Sequence, residues 1–277
     1  MASASSSTFE PLDAERVARV LTTRWLGRPC ECLASCKSTN DVAAARGRAG
    51  AAEGLVVLTD EQTGGRGRLG RSWHATPGAN LTFSLLLRPE RPPVEVPPLT
   101  LLAGAAVAAA IAPFGVNPQL KWPNDVQLLA ISGPRGTPQP EPPRKVAGIL
   151  TEMATEGDRV GHVVVGIGLN VNEAALPTGL ADRATSLALT TGRTFDRVEV
   201  LAAVLAAFED AYDDFRTNGT AAAVRWWETY GAIGSRARVR VGEHDLEGKV
   251  LGLDPDGALR IAADDGRVHR VVSGEIT

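Results

Sequence analysis

At 277 residues with 44% hydrophobic side chains, the chain can bury a full core and carry one large domain plus a small one. Its 29 basic and 32 acidic residues leave a formal charge of −3, which excludes the global basic field of a nucleic-acid binder; positive charge must act locally, and DNA is not an expected partner. Three cysteines, Cys30, Cys32 and Cys36, have neither an even count nor a fourth ligand at a zinc interval, which argues against a disulfide framework or a metal knuckle.

Residues 1–11 are rich in serine and alanine and lack the basic-then-apolar layout of a secretory signal. A disordered tail over 1–12 and a cytoplasmic protein are expected. Val17, Val20, Leu21 and Trp25 recur at helical spacing, predicting one helix over 13–25 capped by Asp13. A helix-turn-helix module would need two more helices before the first strand, and the chain has no room for them. A strand over 31–36 comes next, its cysteines read as small half-buried side chains. Ser38, Thr39, Asn40 and Asp41 then offer hydroxyl and amide caps to an alanine-rich helix ending at Ala49.

The runs 55–59 and Leu81–Leu87 read as strands. Between them, Gly65-Arg66-Gly67-Arg68-Leu69-Gly70-Arg71 can close backbone N–H groups and guanidinium forks on one anion, a phosphate or carboxylate. The same residues spell a dinucleotide fingerprint and nearly a P-loop, yet both require a helix next. The chain instead continues as Ser72-Trp73-His74-Ala75-Thr76-Pro77-Gly78, a turn-prone stretch with no helix N-terminus to receive pyrophosphate. The arginines must do the binding.

Residues 97–112 predict a helix whose apolar run, 101–112, reads as too short and too alanine-rich to cross a bilayer. A strand over 119–122 is broken by Pro123. Residues 132–144 hold five prolines and almost no apolar side chain, an exposed insertion outside the core. Near-continuous Val, Ile and Gly over 146–153 and 162–171 predict strands covered on both faces, and the Gly-Ile-Gly step at 166–168 permits close approach of a ligand. Amphipathic helices are predicted over 196–215 and 220–230. From Gly231 the pattern changes to short runs, 237–241, 246–251, 258–262 and 268–272, separated by turns such as Asp254-Pro255-Asp256-Gly257. That tail predicts a small β-barrel over 231–277, with 13–230 as the larger domain. The four histidines, His74, His162, His244 and His269, are scattered and form no metal motif.

Three further blocks carry chemistry: Lys121-Trp122-Pro123-Asn124-Asp125, Lys145-Val146-Ala147-Gly148-Ile149-Leu150 and Gly166-Ile167-Gly168-Leu169-Asn170-Val171-Asn172. Together with Ser38-Thr39-Asn40 and Gln62-Thr63-x-Gly65-Arg66-Gly67-Arg68-x-Gly70-Arg71-x-Trp73, they occur in the order seen in biotin protein ligases. The sequence resembles that family from about residue 30 to the end. The resemblance implies an α+β fold, with a mixed-sheet catalytic domain of the biotin/lipoate ligase type and a C-terminal SH3-like barrel. It implies that biotin and ATP, with Mg²⁺, give biotinyl-5′-AMP, from which biotin passes to a lysine of the biotin carboxyl carrier domain of an acyl-CoA carboxylase.

By that resemblance Ser38, Thr39, Asn40 and Gln62 line the biotin site, Trp73 is its apolar wall and Gly148 gives close backbone approach. Arg66, Gly67 and Arg68 belong to a loop that orders over the acyl-adenylate, and Lys145 reaches both the carboxylate and the α-phosphate. Lys121, Asn124, Asp125 and Asn170 face the nucleotide, with Asp125 toward Mg²⁺. Lys145, Arg66 and Arg68 are the expected catalytic groups. Family members that bind DNA carry that domain before the catalytic core, so no repressor role is expected; no membrane partner is expected, and the assembly is a monomer or weak homodimer. A lipoate ligase and a non-catalytic nucleotide or biotin sensor are the competing readings.

Overall fold

A parallel strand pair needs a crossover, and the short alanine-rich helix α2 (Thr39–Arg48) supplies it between β1 (Cys30–Cys36) and β2 (Val56–Gln62). Every other pairing is antiparallel as β3 (Leu81–Leu87), β4 (Asn117–Lys121), β5 (Asp125–Leu129), β6 (Arg144–Glu156) and β7 (Arg159–Leu169) complete a seven-stranded sheet in the order β1-β2-β3-β7-β6-β5-β4. The computed structural model describes residues 9–129 and 142–276. Residues 1–8 of the expected tail and 132–141 of the expected insertion lie outside them.

Side-chain alternation splits the sheet between two cores. Val56, Leu58, Phe83 and Leu85 enter the main cluster, whereas Val57, Leu86 and Val164 meet Ala43 of α2 on the opposite face. On the main side lie α3 (Leu99–Ile111), α5 (Arg197–Asn218) and α6 (Thr220–Tyr230). The helical stretch Pro93–Phe114 has 22 residues and a mean hydropathy of 1.8, so by length and composition it could span a bilayer. The run 101–112 falls almost wholly within α3, which is buried. Here 72% of that apolar window is buried inside the protein, between the sheet and the helices α5 and α6.

Several local expectations change. The first helix, α1, covers only Ala14–Val20, with Asp13 capping through its side chain to Arg16 N–H. It stops because long-range partners capture the next turn: Arg28 donates to the carbonyls of Leu21 and Thr23, and the buried Glu209 carboxylate accepts from Arg24 N–H at 2.7 Å. Residues 9–12, assigned to the tail, are anchored; Leu12 is buried and its N–H donates to Asp60, while the Glu10 carbonyl accepts from Arg197. Pro123 breaks the strand as expected, and the cis peptide after Trp122 lies in the turn of the β4–β5 hairpin. β6 is covered on both faces only in part, since Glu152, Met153, Thr155 and Glu156 are exposed. A short helix, α4 (Leu187–Thr191), capped by Ser186, was not anticipated.

Beyond Gly231, β8 (Arg236–Val241), β9 (His244–Leu253), β10 (Leu259–Ala263), β11 (Val268–Val271) and β12 (Glu275–Ile276) form an antiparallel sheet in the order β11-β10-β9-β8-β12. Trp122, from the 121–125 block, is a core aromatic at 3% exposure, and its indole N–H donates at 3.2 Å to the carbonyl of Gly257, in the turn between β9 and β10. Gly257 packs against Leu101 of α3 so closely that a methyl group there would lie 2.9 Å from it. The small sheet is thus docked on the hairpin that carries Asn124 and Asp125.

Candidate functional site

One cleft gathers the N-terminus of α2, the end of β2, the arginine loop, the β4–β5 turn and the middles of β6 and β7. Of the residues expected there, Ser38, Thr39, Asn40, Gln62, Arg66, Gly67, Arg68, Trp73, Asn124, Asp125, Lys145 and Gly148 line it. Lys121 and Asn170 do not. Lys121 sits opposite Asp125 in the hairpin register. Asn170 is buried and spends its amide N–H on the Thr185 carbonyl, while its backbone holds Val146 and Leu187. It is a brace for the segment beside Lys145, whose backbone pairs with Arg183 and Thr185.

The inner end of the cleft is built from neutral polar groups. Ser38 precedes α2 but makes no side-chain cap; the first-turn N–H of Thr39 donates instead to Gln62 Oε1 at 2.9 Å. The expected capping by Ser38 and its neighbours is corrected accordingly, because Thr39 and Asn40 turn inward. Ser84 Oγ lies 2.7 Å from Thr39 Oγ1 and 2.6 Å from Asn40 Oδ1, and Asn40 Nδ2 donates to Glu152 at 2.6 Å. Thr39, Asn40 and Ser84 are all nearly inaccessible to solvent, so each polar atom must find a partner inside.

The Gly-Ile-Gly step of β7 lines the cleft and also serves this packing. A Cβ at Gly166 would sit 2.2 Å from Asn40 Oδ1, and one at Gly168 would sit 2.3 Å from the indole of Trp73. Trp73 therefore lies flat on β7 and reaches Gly148 of β6, forming the expected wall.

The outer end is charged. A β-bulge opposite Val126 and Gln127 offsets β6, and the Lys145 ammonium reaches Asp125 Oδ1 at 2.6 Å while lying 5.6 Å from the Trp73 ring centroid. Asn124 is clamped to Ile149 in both directions, N–H to carbonyl, at 2.9 and 3.0 Å. That clamp leaves Asn124 Oδ1 to accept from Arg68 at 3.3 Å.

The arginine loop is a folded strap, with Gly65 paired to Trp73 and Gly67 to Arg71 across a bridge between Arg66 and Ser72. Its tip holds Leu69 at φ 57°, a left-handed conformation rare for a branched side chain, and leaves it 78% exposed. Each arginine ties the strap to a different element. Arg66 grips Asp41 of α2 with two bonds of 2.6 and 2.8 Å, holding that carboxyl below its usual range and raising its own already high value. Arg71 grips Glu275 of β12 at 2.5 and 2.6 Å, which depresses the glutamate's carboxyl; the more distant charges of Lys121 and Arg68 act in the same direction. Arg68 pairs with the neutral Asn124 amide, so of the three it is the one whose hydrogen bond leaves its charge uncompensated.

Sequence reasoning missed Glu275, Glu152 and Ser84. Nothing near Glu275 in the chain marks it, 204 residues from Arg71. Ser84 falls inside a strand whose seven residues are all buried, where a lone serine is the one available cue.

Residues 32–170 match the Biotin/lipoate A/B protein ligase family, and residues 232–277 match the biotin protein ligase C-terminal domain. A biotin--[acetyl-CoA-carboxylase] ligase of Mycobacterium tuberculosis is 34% identical over 256 residues, covering 90% of this chain and 88% of that protein. The bifunctional ligase/repressor BirA of Bacillus spizizenii is 40% identical over 230 residues, 82% of this chain; the match spans 66% of the relative's length. Among solved structures, the Aquifex aeolicus biotin protein ligase in complex with biotin and ATP superposes with a TM-score of 0.72 at 31% identity, covering 90% of this chain and 97% of that one.

Proposed function

Because the chain belongs to the biotin/lipoate A/B protein ligase family, we propose that it activates biotin with ATP as biotinyl-5′-AMP and transfers the biotinyl group to a lysine of a biotin carboxyl carrier domain. The observation that carries this reading is the polarity of the cleft: a neutral hydrogen-bonding floor at one end, and Lys145, Arg68, Asn124 and Asp125 at the other.

In the first half-reaction a carboxylate oxygen of biotin attacks the α-phosphorus and the bond to the β-phosphate breaks, releasing pyrophosphate. Two unit charges about 4 Å apart repel by ~4 kcal/mol at an effective dielectric of 20, which corresponds to roughly a thousandfold in rate. Lys145 and Arg68 offset that repulsion as fixed cations, with no general base needed. In the second half-reaction the carrier lysine's amine attacks the acyl carbon, AMP leaves and the amine's proton passes to solvent. The strap over 65–73, with Arg66 and Gly67, keeps the mixed anhydride from water. Thr39, Gln62 and Trp73 suit a ureido ring that needs polar partners and an apolar slot.

Asp125, with Glu275 nearby on the cleft wall, offers the hard oxygen donors that suit Mg²⁺ carried in on the phosphates. Such an ion supplies charge neutralisation of the triphosphate. Among the described residues no cluster of three His, Cys, Asp or Glu side chains stands ready for a resident metal, which fits an ion that arrives with the nucleotide. Lys121, outside the cleft lining, contributes through its charge near Glu275. Residues 13–230 form the catalytic unit in this reading and 231–277 an SH3-like barrel, in a cytoplasmic protein working as a monomer or weak homodimer.

Biotin-dependent exchange of labelled pyrophosphate into ATP tests the proposal, with lipoate as control. Exchange with biotin and none with lipoate is expected. Exchange driven by lipoate alone would overturn the substrate, and exchange with neither would favour a sensor.

A further inference from the structure

We propose that Glu173 is a positioning residue for the arginine strap: its buried carboxylate pins the carboxyl-terminal root of that loop and so holds Trp73 against β7 while the acyl-adenylate occupies the cleft. The inference rests on the biotin ligase reading of the cleft.

The two roots of the strap are held differently. On the amino-terminal side Thr63 and Gly64 donate their backbone N–H groups to the Cys36 and Lys37 carbonyls at 2.9 and 2.8 Å. That grip is main chain to main chain. On the carboxyl-terminal side the chain leaves Trp73 through His74 and Ala75, outside any strand or helix, and is then fastened to a single side chain. Thr76 N–H donates to Glu173 Oε2 at 3.1 Å, and the Thr76 hydroxyl donates to Oε1 at 2.6 Å. Asn80 Nδ2, four residues further on, also donates to Oε2 at 2.6 Å.

Thr76 is exposed, whereas Glu173 is only 6% exposed. A carboxylate taken out of water must have its oxygens filled by donors. Here three donors do so, all neutral and all from the segment that ends the strap. The bonds that keep the buried charge satisfied are therefore the bonds that hold the root, and each is stronger than its neutral counterpart. The pin is itself fixed. The Glu173 carbonyl accepts from Ser186 Oγ at 2.8 Å, Asn172 N–H donates to the Ala79 carbonyl at 3.0 Å and Val171 N–H donates to Asn80 Oδ1 at 2.9 Å. Glu173 lies just beyond the end of β7, the strand on whose Gly168 the Trp73 indole rests. A shift of Thr76 away from Glu173 thus becomes a shift of Trp73 away from Gly168.

The test loads the full-length protein with labelled biotin and ATP, chases with unlabelled biotin and ATP, and follows loss of bound label as release of the intermediate. Glu173→Ala should speed release by about 10-fold or more, the consequence of losing hydrogen bonds to a charged acceptor. Glu173→Gln should stay within about threefold of the parent, because the Thr76 hydroxyl can turn to accept from the new amide while the remaining oxygen accepts from Thr76 N–H and Asn80. In a Trp73→Ala background, itself leaky, Glu173→Ala should add no more than about twofold, the scatter expected of independent sites. Thr76→Val, at an exposed position, should speed release several-fold and decides the matter if Glu173→Ala does not fold. Unchanged release in Thr76→Val, a Glu173→Gln protein as leaky as Glu173→Ala, or full acceleration persisting without Trp73 would each overturn the proposal. A parent that accumulates no labelled intermediate would instead sink the biotin ligase reading, and this inference with it.

Discussion

The two ends of the cleft solve opposite problems. At the inner end Ser84, Thr39 and Asn40 are buried and neutral, each held by at least one short hydrogen bond. At the outer end Lys145, Asp125, Arg71 and Glu275 are half-exposed ions, paired with one another across separate elements. A neutral ring can be recognised by dipoles fixed in advance, because burying them costs little once they are bonded. Cations awaiting a phosphate cannot be buried alone, so they rest on carboxylates that an anionic ligand must displace.

Removing an ion at the outer end should affect rate more than affinity. Lys145→Ala is expected to lower biotin-dependent adenylation by roughly 10²- to 10³-fold and biotin affinity only slightly, by single-turnover kinetics against equilibrium binding. An unchanged rate would remove Lys145 from the reaction. At the inner end the reverse holds. Gly166→Ala drives a methyl group into Asn40, and overpacking costs about 1–3 kcal/mol; biotin affinity should fall about 5- to 100-fold while the rate at saturating biotin is largely kept. A loss of rate without loss of affinity would erase the distinction between the two ends.

The smallest effect concerns the strap. The depressed Glu275 carboxyl means that its grip on Arg71 stabilises the closed strap above the unfolded glutamate pKa of about 4.3. That stabilisation is lost as the pH falls through the depressed folded value. Protease cleavage within 65–71 should therefore rise at neutral pH in Glu275→Gln by a few-fold, the scale of an exposed ion pair, and acidification should erase the difference between variant and parent. A variant as protected as its parent at neutral pH would show that Arg66 and Arg68 hold the strap without β12.

Much of this was legible in the chain. Local periodicity gave β3 and α6 to the residue, since Leu81–Leu87 and Thr220–Tyr230 are bounded by turn formers and carry one dominant pattern. It failed for α1, where Arg28 and Glu209 capture the backbone from Leu21 onward. The cleft's main residues were recoverable because their motifs are short and contiguous. The bond from Asn170 to the Thr185 carbonyl was not legible, because the destination of an amide depends on which segment packs beside it.

By itself the sequence determined the kinds of groups available, the positions of most strands and the resemblance that ties five blocks to one chemistry, because these depend on neighbours within a few residues. Only the tertiary structure decided that three arginines of one loop tie to three distant elements, that a serine buried in β3 lies against Thr39 and Asn40 at the cleft floor, and that a glutamate at the far end of the chain reaches its rim. Hydrogen bonds and ion pairs are satisfied in space, and the partner that satisfies them carries no mark in the sequence around it.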